Sequence, residues 1–122
     1  MIEVLNTPPN VAGFRAVGEV TKEDYQEVMN PKVKELVERT DKLNFLFFID
    51  TELKEFSAGA WLQDALLGIK HLTKWNRAAI VTDNEAVIKF TDTFSAVAPG
   101  EFKGFRKEEY DEAVKWVSEQ ID

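Results

Sequence analysis

The sequence predicts a single α/β domain, residues 1–122, on a mixed β-sheet with elements in the order β-β-α-β-α-β-α-β-α. Three observations carry that expectation. The run LNFLFFID, residues 43–50, is apolar on both of its faces, and such a strand belongs inside a sheet covered on two sides. It leads through a short polar loop into SAGAWLQDALLGIKH, whose apolar residues recur with a helical period. A pair of short strand candidates precedes it, and helical and extended segments alternate after it, which gives parallel pairs with right-handed crossovers.

The elements follow in order. Ile2 to Asn6 is a strand candidate closed by the turn residues Thr7-Pro8-Pro9-Asn10, and Ala12 to Val20 is a second, the two pairing as a hairpin. Thr21 then opens TKED, where the threonine can cap a helix and Asp24 can answer it. Tyr25, Val28, Met29, Val33, Leu36 and Val37 keep one helical stripe through Pro31, which predicts one kinked helix rather than two elements. Lys42 to Asp50 is the third strand. A second helix is expected from about Ala58 to Trp75, its core stripe being Ala58, Leu62, Ala65, Ile69 and Leu72. Arg77 to Thr82 is the fourth strand, Asp83-Asn84 a helix cap, and Glu85 to Ala96 the third helix. Pro99-Gly100 turns the chain into a short strand, Glu101 to Phe105, and a last helix runs from Lys107 to Gln120.

The bulk composition excludes several function classes. At 122 residues the chain can bury most of one core. Its formal charge is 15 − 22 = −7, and no cluster of Lys or Arg offsets it, so nucleic acid is not an expected partner. The absence of cysteine removes thiol chemistry, disulfides and thiolate metal sites, and a lone histidine, His71, makes no multi-histidine site. No metal and no cofactor are expected. No segment approaches the roughly 20 apolar residues of a membrane span, and MIEVLNTPPN has neither a basic nor an apolar leader region. The expected location is the cytoplasm, with no integral membrane association.

Ligands of open α/β sheets gather beyond the C-terminal ends of parallel strands. At that edge the sequence places Asp50, Thr51, Ser57, Thr82 and Asp83. Ser57 opens the second predicted helix, where it reads as an N-cap contributing ~1 kcal/mol and also as a candidate phosphorylation site in the positive field of the helix terminus. Asp50 and Asp83 resemble two members of a phospho-accepting acidic pocket. That pocket also needs an acidic pair after the first parallel strand and a lysine after the last, and neither is read at the expected places, so turn and cap roles are expected instead.

A second stripe, Trp61, Asp64, Gly68, His71 and Trp75, lies within about 80° of arc on the same predicted helix. Gly68 would let a ligand or partner approach the backbone, and the packing alternative is that the two tryptophans pack on the sheet. Catalytic templates fit poorly. There is no nucleophile elbow and no phosphate-cradling glycine loop, and Ser57 and His71 stand about four turns, ~21 Å, apart on one helix. No catalytic residue is assigned, and the chain is not expected to be an enzyme.

The segments VGEVTKEDY, FLFFID, FSAGAWLQDALLGIKHLTKWNRAAIVTD, APGEFKGF and EAVKWV resemble the SpoIIAA-like family, small bacterial relatives of the STAS domain of anti-sigma factor antagonists. The stretch from Trp61 through Asp64, Gly68, Lys70 and His71 to Arg77 is the most specific. The resemblance implies a STAS-type fold, shared in outline with the lipid-binding CRAL-TRIO domain. It also implies phosphorylation of a serine or threonine at the start of the second helix, usually within Asp-Ser-x-Gly. Phe56-Ser57-Ala58-Gly59 keeps the serine and glycine but has Phe56 in place of the aspartate. The expected function is a regulatory protein–protein interaction module using the start and stripe of the second helix. Its expected partners are another protein and a second copy of the chain. The alternative is a carrier or sensor of an apolar small molecule or lipid, which the CRAL-TRIO relationship and nine phenylalanines suggest.

Overall fold

The computed structural model describes residues 1–51, 75–96 and 100–119. The second predicted helix, with Ser57, Trp61, Asp64, Gly68 and His71, lies outside the described residues. The described strands form one five-stranded sheet in the order β1-β2-β3-β4-β5. β1 (Ile2–Val4) runs antiparallel to β2 (Ala12–Val17), and β2, β3 (Leu43–Asp50), β4 (Trp75–Val81) and β5 (Glu101–Phe105) are parallel neighbours. β2 stops at Val17, short of the predicted Val20, because Gly18 takes φ +60°, a conformation open to glycine and closed to most residues. Val20 then turns fully into the core.

The helix predicted across Pro31 forms as one run with a change of pitch. α1 (Lys22–Asp24) passes into a π-helical turn, Tyr25–Met29, and then into α2 (Asn30–Thr40). Thr21 and Asp24 cap it reciprocally: the Thr21 N–H donates to Asp24 Oδ2 at 2.8 Å, and the Asp24 N–H reaches Thr21 Oγ1 at 3.4 Å. Pro31 offers no N–H, and its ring crowds the carbonyl four residues back. The wide turn directly ahead of it, closed by the Asn30 N–H on the Tyr25 carbonyl, gives that crowding room. Asp41 ends α2 at φ 60°, its N–H on the Val37 carbonyl at 2.8 Å.

The two-sided apolar pattern of β3 puts it in the middle of the sheet, as expected. On one face Phe14, Phe45, Phe47, Ile49, Ala78 and Ile80 meet Met29, Val33 and Leu36 from the π turn and α2. On the other, Leu46, Ala79, Val81 and Phe105 meet Ala113 and Val117 of the helix Tyr110–Ser118, which follows a 3₁₀ turn, Lys107–Glu109. Between β4 and β5 runs α3 (Glu85–Phe94), so the last helix, Tyr110–Ser118, is α4. α3 is capped by Asn84, whose Oδ1 accepts from the Ala86 and Val87 N–H groups at 2.9 and 3.2 Å. It also covers the β5 edge: the Phe102 N–H donates to Ser95 Oγ and the Gly104 N–H to Asp92 Oδ1, both at 2.9 Å. Edge donors satisfied in this way are closed to pairing with another chain.

One boundary differs with a consequence for the predicted stripe. The fourth strand starts at Trp75 rather than Arg77. Trp75 pairs with Leu43, the next pair is Asn44 with Arg77, and Asn76 is the extra residue of a bulge there. The indole is 5% exposed, with ring centroids 5.6 Å from Phe45 and 5.0 Å from Phe102. Trp75 is therefore a strand residue of the core, because burying an aromatic ring between two others outweighs continuation of the helical period.

Candidate interaction site at the C-terminal edge of the sheet

The carboxylate of Asp50, at the end of the central parallel strand, is the hub of this edge. Its Oδ2 accepts from the Arg15 guanidinium, through Nη2 and through Nε at 3.2 Å, and its Oδ1 accepts from Lys107 Nζ at 2.9 Å. The register explains the convergence. Arg15 lies opposite Phe48 in the parallel β2–β3 pair, so it shares a face with Asp50, and Lys107 enters that face two residues beyond β5. Lys107 also sits over the Phe48 ring at 5.8 Å, and its backbone N–H donates to Asp83 Oδ1 at 3.1 Å. Thr51 donates its hydroxyl to the Gly18 carbonyl at 3.0 Å, closing the loop beside the cluster. A second pair, Arg106 with Glu85, ties the turn after β5 to the first turn of α3.

The sequence reading missed two of these residues. It found no lysine after the last strand, yet Lys107 stands there and holds Asp50. Asp83 accepts from the chain after β5, and the capping role belongs to Asn84 alone. The signal for Lys107 was available: the strand ends at Phe105, and the next two residues are Arg106 and Lys107. Arg15 had no such signal, because its meeting with Asp50 depends on the register of two strands distant in sequence.

The electrostatics follow from these hydrogen bonds. Arg15 and then Lys107 hold the Asp50 carboxyl below the ordinary carboxylate range, and Arg106 does the same for Glu85. A carboxylate with lowered folded-state pKa contributes stability that is complete at neutral pH and is lost as pH falls through the folded value. Asp50→Asn should therefore flatten the acid limb of a melting-temperature profile below about pH 4 while leaving its shape at pH 6–8 unchanged. An acid limb as steep as the wild type's would show that the cluster contributes nothing to acid stability.

The opposite end of the sheet is held by a polar network with a structural task. Arg77 is buried at 8% exposure, donates Nη1 to the Trp116 carbonyl at 2.7 Å, pairs with Glu101 at 3.1 Å, and stacks 4.9 Å from the Trp116 ring. Asn10 donates to the Ser118 carbonyl at 2.9 Å. Together these donors satisfy carbonyls that the end of α4 leaves open. Asn44, itself buried, donates to the Asn10 carbonyl at 3.0 Å and accepts from Asn76 at 2.8 Å.

Among the described residues no group of three or more His, Cys, Asp or Glu could hold a metal ion, and no helix is long and apolar enough to cross a membrane. An antiparallel edge strand leading into four parallel strands in sequential order, with a last helix on the opposite face from α2, is a STAS-type α/β domain. The SpoIIAA-like family model matches residues 11–118, and the chain belongs to that family, a non-enzymatic STAS-like regulatory family. It is similar to a solved structure of an uncharacterized DUF3478-family protein with a SpoIIAA-like fold from Shewanella loihica PV-4. That protein is 28% identical, with a TM-score of 0.68 over 96% of this chain and 92% of the other. No curated protein matches.

Proposed function

We propose that this bacterial chain is a cytoplasmic regulatory module that acts by binding another protein, through the start and stripe of its second predicted helix: Ser57, Trp61, Asp64, Gly68 and His71. The observation that supports binding over chemistry is the state of Asp50. The carboxylate at the usual ligand edge has both oxygens engaged by Arg15 and Lys107, which leaves it neither a free base nor an open metal ligand. Trp75 drops out of the proposed surface, since its ring is packed between Phe45 and Phe102. Ser57 is the proposed switch. Partner capture from a lysate should differ between Ser57→Asp and Ser57→Ala, and equal recovery with wild type and both variants would remove the switch. Self-association is proposed through Trp61, so Trp61→Ala should lower the dimer fraction by light scattering.

A second reading, carriage of an apolar small molecule or lipid, has one observation in its favour. The Trp75 indole N–H is buried with no hydrogen-bond partner among the described residues, between two aromatic rings. An unmet buried donor costs about 1–3 kcal/mol, and a ligand oxygen would recover it. Mass spectrometry of organic extracts of the purified protein should then find a bound lipid, and Trp75→Phe should release it. Clean extracts from freshly purified wild type would reject carriage.

A further inference from the structure

We infer that α4 is a detachable strap: it swings off the sheet as a unit about its join to β5, while the rest of the domain stays folded, and uncovers an apolar strip on β3, β4 and β5. The two faces of the sheet are held in different ways. On one face the π turn and α2 bury Tyr25, Met29, Val33, Leu36 and Val37. On the other, α4 buries only Ala113 and Val117 fully, and its Tyr110, Val114 and Trp116 stay partly exposed. Much of what fastens α4 is polar and lies at its two ends. Lys107 clasps Asp50 ahead of the first turn, and at the last turn Arg77 and Asn10 hold the carbonyls of Trp116 and Ser118.

The two charged clasps on the sheet side each have a second partner that stays when α4 leaves. Asp50 keeps Arg15, and Arg77 keeps Glu101 of β5. Departure therefore strands no buried charge, the event that makes losing one partner of a buried ion pair so costly. It also breaks no strand pairing, since β5 stays beside β4 and the Thr82 N–H stays on the Phe105 carbonyl. What opens is the strip Leu46, Phe48, Ala79, Val81 and Phe105, which packs with α4. Lys107 and Asp50 are 34% and 31% exposed, so salt screens their pair, whereas the apolar packing under α2 is not weakened by it. An element held in this way opens at a lower free energy than the sheet behind it. A partner group that takes Lys107 at the C-terminal edge shifts the same equilibrium, which couples that edge to the face under α4.

The strap is independent of the proposed helix surface, and it can be tested without a partner. The chain has no cysteine, so a single introduced thiol reports on each face. Ala79 packs in the cluster under α4, its neighbour Ala78 packs in the cluster under α2, and both are fully buried. Ala79→Cys and Ala78→Cys are labelled with a small disulfide reagent in native buffer at about 0.05 and about 0.5 M NaCl. Ala79→Cys should react at least about tenfold faster than Ala78→Cys. That ratio should grow about threefold with salt, and Lys107→Gln should raise it by a similar factor at low salt. Hydrogen exchange on the wild type reads the same opening with no core substitution. After correction for intrinsic rates, the amides of Val114 to Val117 should exchange at least about tenfold faster than those of Phe45 to Phe47. Equal labelling of the two thiols, or one opening free energy for both sets of amides, would make the domain a single cooperative unit and overturn the inference. So would a preference for Ala79→Cys that neither salt nor Lys107→Gln alters.

Discussion

Phe45→Ala should lower the unfolding free energy by about 4 kcal/mol and the melting temperature by more than about 10 °C. Phe45 is fully buried at the centre of an aromatic chain across four strands and touches Phe14, Phe47 and Trp75 at centroid distances of 5.8, 5.9 and 5.6 Å. Truncation removes the ring's transfer free energy and leaves a cavity that the neighbours cannot fill, because they are held by the strands on either side. Against a total stability of about 5–15 kcal/mol, that is a large share. Phe45→Leu should cost less than half as much, since it keeps most of the volume. Chemical denaturation of the two variants checks the ordering, and a Phe45→Ala loss under about 2 kcal/mol would mean that this region is loosely packed.

Gly104→Ala should cost about 2 kcal/mol, although it adds one methyl group at a position with no unusual backbone angle. A Cβ at Gly104 would lie 2.8 Å from Ile88 Cγ2, 2.9 Å from Ile88 Cα and 3.1 Å from Ile88 Cβ. So close an approach to a backbone atom means that α3 itself must move off β5. That movement would pull Asp92 and Ser95 away from the edge donors they satisfy. Ile88→Ala in the same chain should recover only part of the loss, because it removes Cγ2 and leaves the helix backbone where it was. Urea unfolding of the double variant measures the coupling, and strictly additive losses would show that the two residues do not meet.

Much of the architecture was legible in the sequence because its signals are local. LNFLFFID announced a strand buried on both faces, Asn84 and Thr21 announced helix starts, and Pro99-Gly100 announced the entry to β5. The errors fell where tertiary packing overrides a local period. The helical spacing of Trp61, Asp64, Gly68 and His71 extends naturally to Trp75, but the space between Phe45 and Phe102 takes that ring into a strand. Gly18 could have been read as the end of β2, yet only its φ of +60° decides the matter.

The candidate site divides along the same line. Which residues are chemically capable at the C-terminal edge was visible: Asp50, Thr51 and Asp83 were named from strand ends alone. Which of them meet was not. Arg15 and Lys107 are separated from Asp50 by 35 and 57 positions, and their convergence exists only once β2 and β3 take their register and the turn after β5 packs over Phe48. The sequence by itself determined the fold class, the family and the order of elements, since hydrophobic period, turn residues and caps act over a few residues. The tertiary structure alone decided that Asp50 is paired with two cations, that Trp75 belongs to the core, and that side chains of α3 and the residue after it take the outward donors of β5. Each of these depends on the meeting of distant segments, whose geometry no local pattern encodes.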